Sequence, residues 1–157
     1  MNKVPMTEVG YKNLQVELKK LVNIERPAII TAIAEARSHG DLSENAEYQY
    51  AKEEQNLIES KIAELENTIV QAEVIDISKL SGKEIMFGAT VKIKDNKTGE
   101  QSTYQIVGEY ESDIENKKIS INSPMARGLI GKSKNDVVEI NSPKGIKFYT
   151  VISVKFQ

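Results

Sequence analysis

The sequence predicts a two-domain α+β protein, in which an antiparallel coiled-coil helical hairpin precedes a small, mostly antiparallel β-sheet with one short helix. Two observations support this. Up to about residue 76, apolar residues recur three and four positions apart, as on one face of an α-helix. Beyond that point they alternate with polar residues, as in half-buried strands. We therefore expect domains at residues 1–76 and 77–157, with residues 74–82 as the linker.

The first helical pattern starts beside Thr7, a predicted N-cap that is followed by Glu8 in the first turn. Its inward positions fall into two sets, one residue out of phase: Leu14, Leu18 and Leu21, then Val22, Arg26, Ile29, Ile33 and Ala36. The slip lies near Pro27, and proline costs about 3 kcal/mol in a helix interior. We expect a kink or a restart there, with Pro27 in the first turn of the second segment.

The second helical pattern is regular. Its inward positions are Tyr48, Ala51, Gln55, Ile58, Ile62, Leu65, Ile69 and Ala72. Two helices of about 30 residues, rising 1.5 Å per residue, make a rod about 45 Å long. The short connection makes them antiparallel neighbours. The same spacing would also allow a self-associating coiled coil, but an intramolecular hairpin is simpler and we expect a monomer.

The C-terminal half has the alternation of strands. Its period-two positions include Val91 and Ile93, Tyr104 and Ile106, Ile119 and Ile121, and the closing run from Ile146 to Phe156. Residues 95–99 and Gly145 are predicted hairpin turns. In the segment SPMARGLIG, Ser123 is the predicted N-cap and Pro124 the first residue of a short helix.

Composition narrows the class of protein. The 157 residues include no Cys, which excludes disulfides, thiolate metal sites and Cys nucleophiles. No apolar run approaches the roughly 20 residues that span a bilayer, and the N-terminus lacks the apolar stretch of a secretory signal. We therefore expect a cytoplasmic protein with no membrane partner.

Charge is unevenly distributed along the chain. Residues 1–78 carry 8 Lys and Arg against 14 Asp and Glu, a net charge of −6, whereas residues 79–157 carry 13 against 9, a net charge of +4. Proteins that bind duplex DNA need basic groups to neutralise phosphates. The acidic half is therefore better suited to a protein surface or a metal-containing cavity than to bare nucleic acid.

The segment ARSHGDLSENAEY places Asp41 and Glu44 at the predicted hairpin tip, residues 37–48. Gly40 is expected to end the first helical pattern, and Ser43 can begin the second. One interpretation is structural, because two acids three residues apart resemble a capping box at the positive end of a helix. The other is that both carboxylates hold a Mg²⁺ ion whose remaining ligands come from a partner. The two interpretations are compatible.

Other residues near the tip have less specific roles. Arg37 and Lys52 lie on opposite arms, where they could touch an RNA backbone or remain solvated charges. His39 could transfer protons but fits an exposed position equally well. Tyr48 could stack on a base, although it also falls on the packing face. The sequence contains no zinc-ligand spacing, no Gly-rich phosphate loop and no histidine beyond His39 for a catalytic triad.

ARSHGDLSENAEY followed by AKEEQ closely resembles the tip of the bacterial transcript cleavage factors of the Gre family, and SPMARGLIGK resembles that family's second signature. The resemblance covers essentially the whole chain. It is closer to the GreA branch, because only Arg37 and Lys52 are basic near the tip. The resemblance implies an FKBP-like C-terminal domain that docks on RNA polymerase at the rim of its secondary channel, while the coiled coil enters the channel.

The resemblance also implies roles for individual residues. Asp41 and Glu44 would help to hold the second Mg²⁺ of the polymerase active site, and the polymerase would hydrolyse backtracked RNA near its 3′ end. Mg²⁺ would be shared only in that complex, and the isolated protein would bind no cofactor. Candidate contacts to the 3′ end of the nascent RNA are Arg37, Asn45 and Lys52, and candidate docking residues are Ser123, Pro124, Ala126 and Arg127.

Two rival functions remain open at this stage. An FKBP-like fold could be a prolyl isomerase, although its few aromatic residues provide little for a proline pocket. The same scaffold could instead be a channel-binding inhibitor of polymerase, which the Asp41 and Glu44 pair argues against. A peptide isomerisation assay tests the first alternative and a transcript cleavage assay the second.

Overall fold

A computed structural model describes residues 3–40 and 45–156. By its contacts the chain divides into two compact units, a hairpin unit of Tyr11–Gln71 and a sheet unit that combines the residues up to Gly10 with those from Ala72 onward. The two-domain α+β prediction is confirmed. The division differs from the predicted boundary at residue 76, because two short strands on either side of the hairpin pair with each other: β1 (Val4–Thr7) is parallel to β2 (Ala72–Ile75).

The hairpin unit is built from three helical segments. They are α1 (Glu8–Lys20, whose first turn belongs to the sheet unit), α2 (Arg26–Ser38) and α3 (Ala46–Gln71). The predicted packing faces are buried: Leu14 and Leu21, Ile29, Ile33 and Ala36 on the first arm, and Ala51, Ile62 and Leu65 on the second. Thr68, 2% exposed, takes an inward position that the pattern did not include, since its hydroxyl donates to the Glu64 carbonyl at 2.8 Å.

A π-helical turn, Leu21–Glu25, joins α1 to α2 and explains the slip in phase. The Arg26 amide donates to the Leu21 carbonyl five residues earlier, so this turn contains one residue more than an α-helical turn. Every later inward position is therefore displaced by one residue. Pro27 follows in the first turn of α2, where its missing N–H costs least. The predicted restart near Pro27 is confirmed.

A bidentate ion pair joins the two arms of the hairpin beside the π-helical turn. Arg26 Nε donates to Glu59 Oε1 at 2.8 Å, and Arg26 Nη2 donates to Glu59 Oε2 at 2.7 Å. This hydrogen-bonded partner lowers the pKa of Glu59 and raises that of Arg26. A carboxyl whose pKa is lowered on folding stabilises the fold above its unfolded-state pKa, and the effect disappears as the pH falls through its folded-state pKa.

We therefore expect Glu59→Gln to melt below the wild type at neutral pH, with the difference vanishing in acid. Both partners are partly exposed, so the loss is small. Thermal melting followed by helical circular dichroism across the acid range measures it. Glu53→Gln, on an exposed position of the same helix, is the control. A difference from wild type that does not change with pH would contradict the assigned ion pair.

The sheet unit has a five-stranded sheet in the order β5-β4-β3-β7-β6. Its strands are β3 (Thr90–Asp95), β4 (Gln101–Val107), β5 (Lys118–Ser120), β6 (Val137–Ser142) and β7 (Gly145–Lys155). All pairs are antiparallel except β4 with β5. The predicted turns are confirmed: Gly99 and Gly145 have φ values of 77° and 121°, a region that favours glycine.

One side of the sheet packs on the short helix α4 (Pro124–Leu129) to form the core. Its fully buried members include Ile93, Ile106, Ala126, Leu129 and Val151. Ser123 caps α4 by accepting the Ala126 amide at 3.2 Å, and Pro124 occupies the first turn. Both sequence predictions for this helix are confirmed. No helix in the part of the chain that the structure describes is long and apolar enough to cross a membrane.

The carboxylate of Glu111 ties β1 to the rest of the sheet unit. It accepts the Thr7 amide and the Gly108 amide, each at 2.9 Å, and also the Thr7 hydroxyl. The Thr7 hydroxyl in turn accepts the Gly10 amide at 3.1 Å, which makes Thr7 the predicted N-cap of α1. A side chain at Gly10 would clash with the Glu111 carboxylate. Glu111 therefore fixes the chain where α1 begins.

Candidate functional site

The hairpin tip is defined by the helix ends that border it. α2 ends at Ser38, the His39 amide still donates to the Ala36 carbonyl at 3.2 Å, and Gly40 turns the chain with a φ of 126°. The predicted end of the first helix at Gly40 is confirmed. The next four residues, among them Asp41, Ser43 and Glu44, lie outside the described residues, so the roles predicted for the two acids remain predictions.

Asn45 joins the two arms immediately after these residues. Its side-chain oxygen accepts the Tyr48 amide at 3.0 Å, which caps α3, and its side-chain nitrogen donates to the Ala36 carbonyl on α2 at 2.5 Å. Asn45 therefore caps the described helix that starts at Ala46, and the predicted start at Ser43 lies outside the described residues. One amide group thus connects the two helix ends between which Asp41 and Glu44 lie in the sequence. The predicted RNA contact of Asn45 would have to compete with these two bonds.

The other candidate residues on the hairpin have partners within it. The Arg37 guanidinium lies 5.8 Å from the centre of the Tyr48 ring, a distance that permits a cation–π contact. Lys52 donates to the Gln55 side chain at 3.1 Å. Tyr48 is half-buried against the helix packing, as its place in the periodic pattern predicted. Arg37 remains exposed, and Lys52 is half-buried.

His39 pairs with Glu47 across the tip, with 3.0 Å between His39 Nδ1 and Glu47 Oε2. Both side chains are largely exposed, so the interaction is weak. It adds to the Asn45 connection between the two arms. His39 lies against an acid that holds it in place, and nothing in this contact assigns it a role in proton transfer.

The four docking candidates on α4 differ in what they expose. Pro124 and Arg127 are exposed and available to a partner. Ala126 is 0% exposed, so its prediction as a docking contact is corrected: it packs under the helix because the core needs a small residue there. The Ser123 hydroxyl is occupied by its capping bond. Of the four candidates, Pro124 and Arg127 therefore have side chains available to a partner.

A cleft beside α4, on the core side of the sheet, is relevant to the prolyl isomerase alternative. Its volume is about 230 Å³. Tyr104 and Tyr149 line it, but so do four charged side chains, Asp95, Glu100, Lys117 and Lys147. Lys117 Nζ lies 5.5 Å from the centre of the Tyr104 ring. Burying an apolar prolyl ring among charges is unfavourable, so this cleft does not favour prolyl isomerase activity.

Among residues 3–40 and 45–156, no group of three or more His, Asp or Glu side chains is placed to hold a metal ion. The acids of the tip fall outside this range. Their chemistry nevertheless fits Mg²⁺ as a partial set, because Mg²⁺ is commonly held by one or two carboxylates together with phosphates and waters.

Comparison with known proteins decides the family. The profile described as "Transcription elongation factor, N-terminal" matches residues 4–74, and that described as "Transcription elongation factor, GreA/GreB, C-term" matches residues 80–156. The transcription elongation factor GreA of Caulobacter vibrioides is 56% identical over 156 residues, covering 99% of each chain. The chain belongs to the GreA/GreB family of transcription elongation factors.

Further relatives within the GreA/GreB family agree. The GreA of Beijerinckia indica is 58% identical over 157 residues and covers 100% of each chain, and the GreA of Phenylobacterium zucineum is 57% identical over 156 residues, covering 99% of each. These matches confirm the prediction of a Gre-family factor on the GreA side. Among solved structures, GreA factor homolog 1 of Thermus thermophilus is 27% identical, covering 98% of this chain and 99% of that one, with a TM-score of 0.45, too low to support an inference.

Sequence reasoning did not identify the bridging role of Asn45 or the role of Glu111. For Asn45 a signal was available, since Asn is among the best N-cap residues and Tyr48 stands three positions later. For Glu111 there was no such signal, because its partner Thr7 is 104 residues away.

Proposed function

We propose that this elongation factor binds RNA polymerase, inserts its hairpin tip into the secondary channel and stimulates the polymerase's own Mg²⁺-dependent cleavage of backtracked RNA. The supporting observation is the Asn45 bridge, which closes the two helices on either side of Asp41 and Glu44. Asp41 and Glu44 follow one another in the sequence between these two helix ends, and an end of a helical pair can enter an active site that a globular domain cannot.

The work of each side chain follows from its chemistry. Asp41 and Glu44 would supply carboxylate ligands to a Mg²⁺ that the polymerase and the RNA phosphates also hold. Bound there, the ion would supply an activated water and charge stabilisation for the in-line displacement. Arg37, which is exposed near the tip, supplies a charge to the RNA backbone. Asn45 is a positioning residue, because it acts on the acids by holding the helix ends together.

Two acids alone are too few ligands for a Mg²⁺ site, so we expect no hydrolysis when the protein and Mg²⁺ are mixed with free RNA. With stalled elongation complexes present, the same mixture should cut the RNA held in them. Hydrolysis of free RNA without polymerase would contradict the proposal. Tight binding to polymerase without any cleavage would favour the channel-binding inhibitor instead.

Asn45 provides a prediction that separates capping from bridging. Asn45→Asp keeps an oxygen that can accept the Tyr48 amide but loses the donor to the Ala36 carbonyl, whereas Asn45→Ala loses both. We expect Asn45→Ala to lower hairpin stability by about 1 kcal/mol and Asn45→Asp to lower it less. Both should reduce stimulated cleavage about 10- to 100-fold, because small misplacements of catalytic groups are costly, while polymerase binding persists.

Amide hydrogen exchange at Tyr48 tests directly whether the Asn45 cap is lost in each variant. Exchange at Tyr48 should accelerate in Asn45→Ala and stay near wild type in Asn45→Asp. Full cleavage by Asn45→Asp would remove the bridging role and leave only the cap. Reduced cleavage with unchanged exchange in both variants would instead favour a direct RNA contact by Asn45.

A further inference from the structure

The side of the five-stranded sheet that faces away from the core is basic. On β3, Val91 and Ile93 are buried at 1% exposure, so the alternation of a strand places Lys92 and Lys94 on the opposite side. Lys155 of β7 lies on this side as well, because it pairs with Thr90, which is two residues from Lys92 on β3. Lys118 of β5 also lies on this side, because it pairs with Gln105, the partner of Thr90 on β4. We call these four lysines the lysine face.

The strand register fixes the layout of this face. Lys118, Gln105, Thr90 and Lys155 form one row across four strands. Lys92 and Lys94 lie in the next two rows of the same side. With strands about 4.8 Å apart and about 3.3 Å per residue along a strand, the lysines cover an area about 14 Å on each side. Such spacing suits several phosphates of one strand, since each ammonium group can neutralise one phosphate.

No acid interrupts the lysine face on the three central strands, β4, β3 and β7. The remaining outward positions there are neutral: Thr90, Gln101, Thr103, Gln105, Thr150, Ser153, the apolar Ile146 and Phe148, and Val107, which is buried at the end of β4. None of the four lysines forms an ion pair with any residue that the structure describes. Two described acids border this side: Glu139, on the edge strand β6 opposite Phe148, and Asp113, the bridge partner of Lys118. The positive charge is therefore largely uncompensated around Lys92, Lys94 and Lys155.

A cavity beside an exposed aromatic ring adjoins the lysine face. Phe148 is 50% exposed, and with Asn96, Lys97 and Thr98 it lines a cavity of about 480 Å³, a size typical of ligand pockets. Asp95 also lines it, but its carboxylate accepts the Lys97 amide at 2.9 Å within the turn. Through the register, Phe148 is a diagonal neighbour of Lys94, about 7–8 Å away.

Polar groups at this cavity are arranged to leave a donor available. The Thr150 hydroxyl donates to the Asn96 side-chain oxygen at 2.7 Å, so the Asn96 side-chain nitrogen remains free to donate to a ligand. Amide donors beside an aromatic ring suit a nucleobase, whose ring stacks while its edge accepts hydrogen bonds.

We propose that the lysine face and the Phe148 cavity together bind single-stranded nucleic acid, with a base against Phe148 and the backbone over the lysines. A sheet surface that combines basic residues with an exposed aromatic ring is suited to unstacked bases. A duplex keeps its bases stacked and would leave Phe148 unused. An acidic protein surface would pair with the lysines but gives no role to the cavity. The proposal does not depend on the proposed cleavage function.

The test measures binding of the full chain, without polymerase, to fluorescent oligouridylate, oligothymidylate and a duplex of equal length. Fluorescence anisotropy at several salt concentrations gives affinity and salt dependence. We expect both single strands to bind more tightly than the duplex, and a difference between them identifies RNA or DNA as the preferred ligand. Phe148→Leu should weaken binding at least roughly fivefold, because stacking on an aromatic ring is lost.

The charged half of the site has a matched control. Lys92→Gln with Lys94→Gln should weaken binding and reduce the slope of log affinity against log salt by about 1.4, since each phosphate contact on a single strand contributes about 0.7. Lys132→Gln with Lys134→Gln removes the same charge from exposed positions of the same unit outside the sheet and should leave the slope near wild type. Melting curves check that all variants fold.

Several results would overturn the proposal. One is the absence of single-strand binding at low salt. Another is an equal loss of affinity in the Lys92 and Lys94 variant and in the Lys132 and Lys134 variant. A third is unchanged affinity in a folded Phe148→Leu variant. A preference for the duplex would also overturn it. Loss of polymerase affinity in the Lys92 and Lys94 variant, with oligonucleotide binding unchanged, would reassign the lysine face to an acidic protein partner.

Discussion

The Asp41→Asn, Glu44→Gln double variant should lose transcript cleavage by orders of magnitude while it still folds and binds polymerase. Both substitutions keep the size of the side chain and much of its capacity to cap a helix, and lost caps cost about 1 kcal/mol. Metal-assisted stabilisation of the transition state is worth several kcal/mol, and each 1.36 kcal/mol is tenfold in rate. The two roles of these acids therefore differ in the size of their effect.

The measurement is the rate of RNA shortening in backtracked elongation complexes, with thermal melting as the control for folding. The double variant should compete with the wild type for polymerase. Raised Mg²⁺ should partly restore the single variants, since each retains one carboxylate ligand. Near-normal cleavage by a folded, polymerase-bound double variant would limit Asp41 and Glu44 to capping.

Glu111→Ala should cause the largest loss of stability among the substitutions considered. The Glu111 carboxylate accepts three hydrogen bonds from Thr7 and Gly108, and its removal leaves partly buried backbone donors without a partner. Hydrogen bonds to charged groups and unpaired buried donors are each worth one to three kcal/mol, so we expect a loss of roughly 2–4 kcal/mol in the free energy of unfolding. Urea denaturation followed by circular dichroism measures it.

Glu109→Ala is the matched control, since Glu109 is an exposed acid in the same helical turn and should change the free energy of unfolding by less than about 0.5 kcal/mol. Hydrogen exchange should show the Thr7 and Gly108 amides opening in Glu111→Ala and remaining protected in Glu109→Ala. Equal stability of the two variants would contradict the role assigned to Glu111.

The sequence predicted the elements whose causes are local. The three-and-four spacing gave the hairpin, and Ser123 with Pro124 gave the start of α4. Even the phase slip near Pro27 was visible, although its form, a π-helical turn, depends on how Leu21 and Ile29 both reach the packing face. Periodicity indicates which side of a helix is buried. It does not indicate where a backbone hydrogen bond spans five residues instead of four.

Contacts between distant segments were beyond prediction. β1 and β2 are four residues each and pair across the whole hairpin, so neither has a pattern long enough to indicate a strand. β6 was also missed, although its Val138 and Ile140 alternate inward. A fragment that starts at residue 79 would lack both partners of the β1–β2 pair and the Thr7 contact of Glu111. A fragment made to test whether the sheet unit alone binds polymerase therefore needs residues 72–78 and the N-terminal strand β1.

The candidate site was predicted from residue type and corrected by burial. Ala126 belongs to a signature segment, but its side chain faces the core and is fully buried. Asn45 belongs to the tip motif, and its spacing from Tyr48 indicates the cap. Its contact to Ala36 depends on how the two arms end, which spacing along the chain does not indicate.

The length of the RNA in backtracked elongation complexes tests the central claim most directly. Complexes labelled at the RNA 5′ end are mixed with the full chain and Mg²⁺, and the products are resolved by gel. The proposed function predicts that the labelled RNA becomes shorter at its 3′ end and that the polymerase then resumes elongation from the new end. RNA of unchanged length, in complexes to which the protein is demonstrably bound, would contradict it.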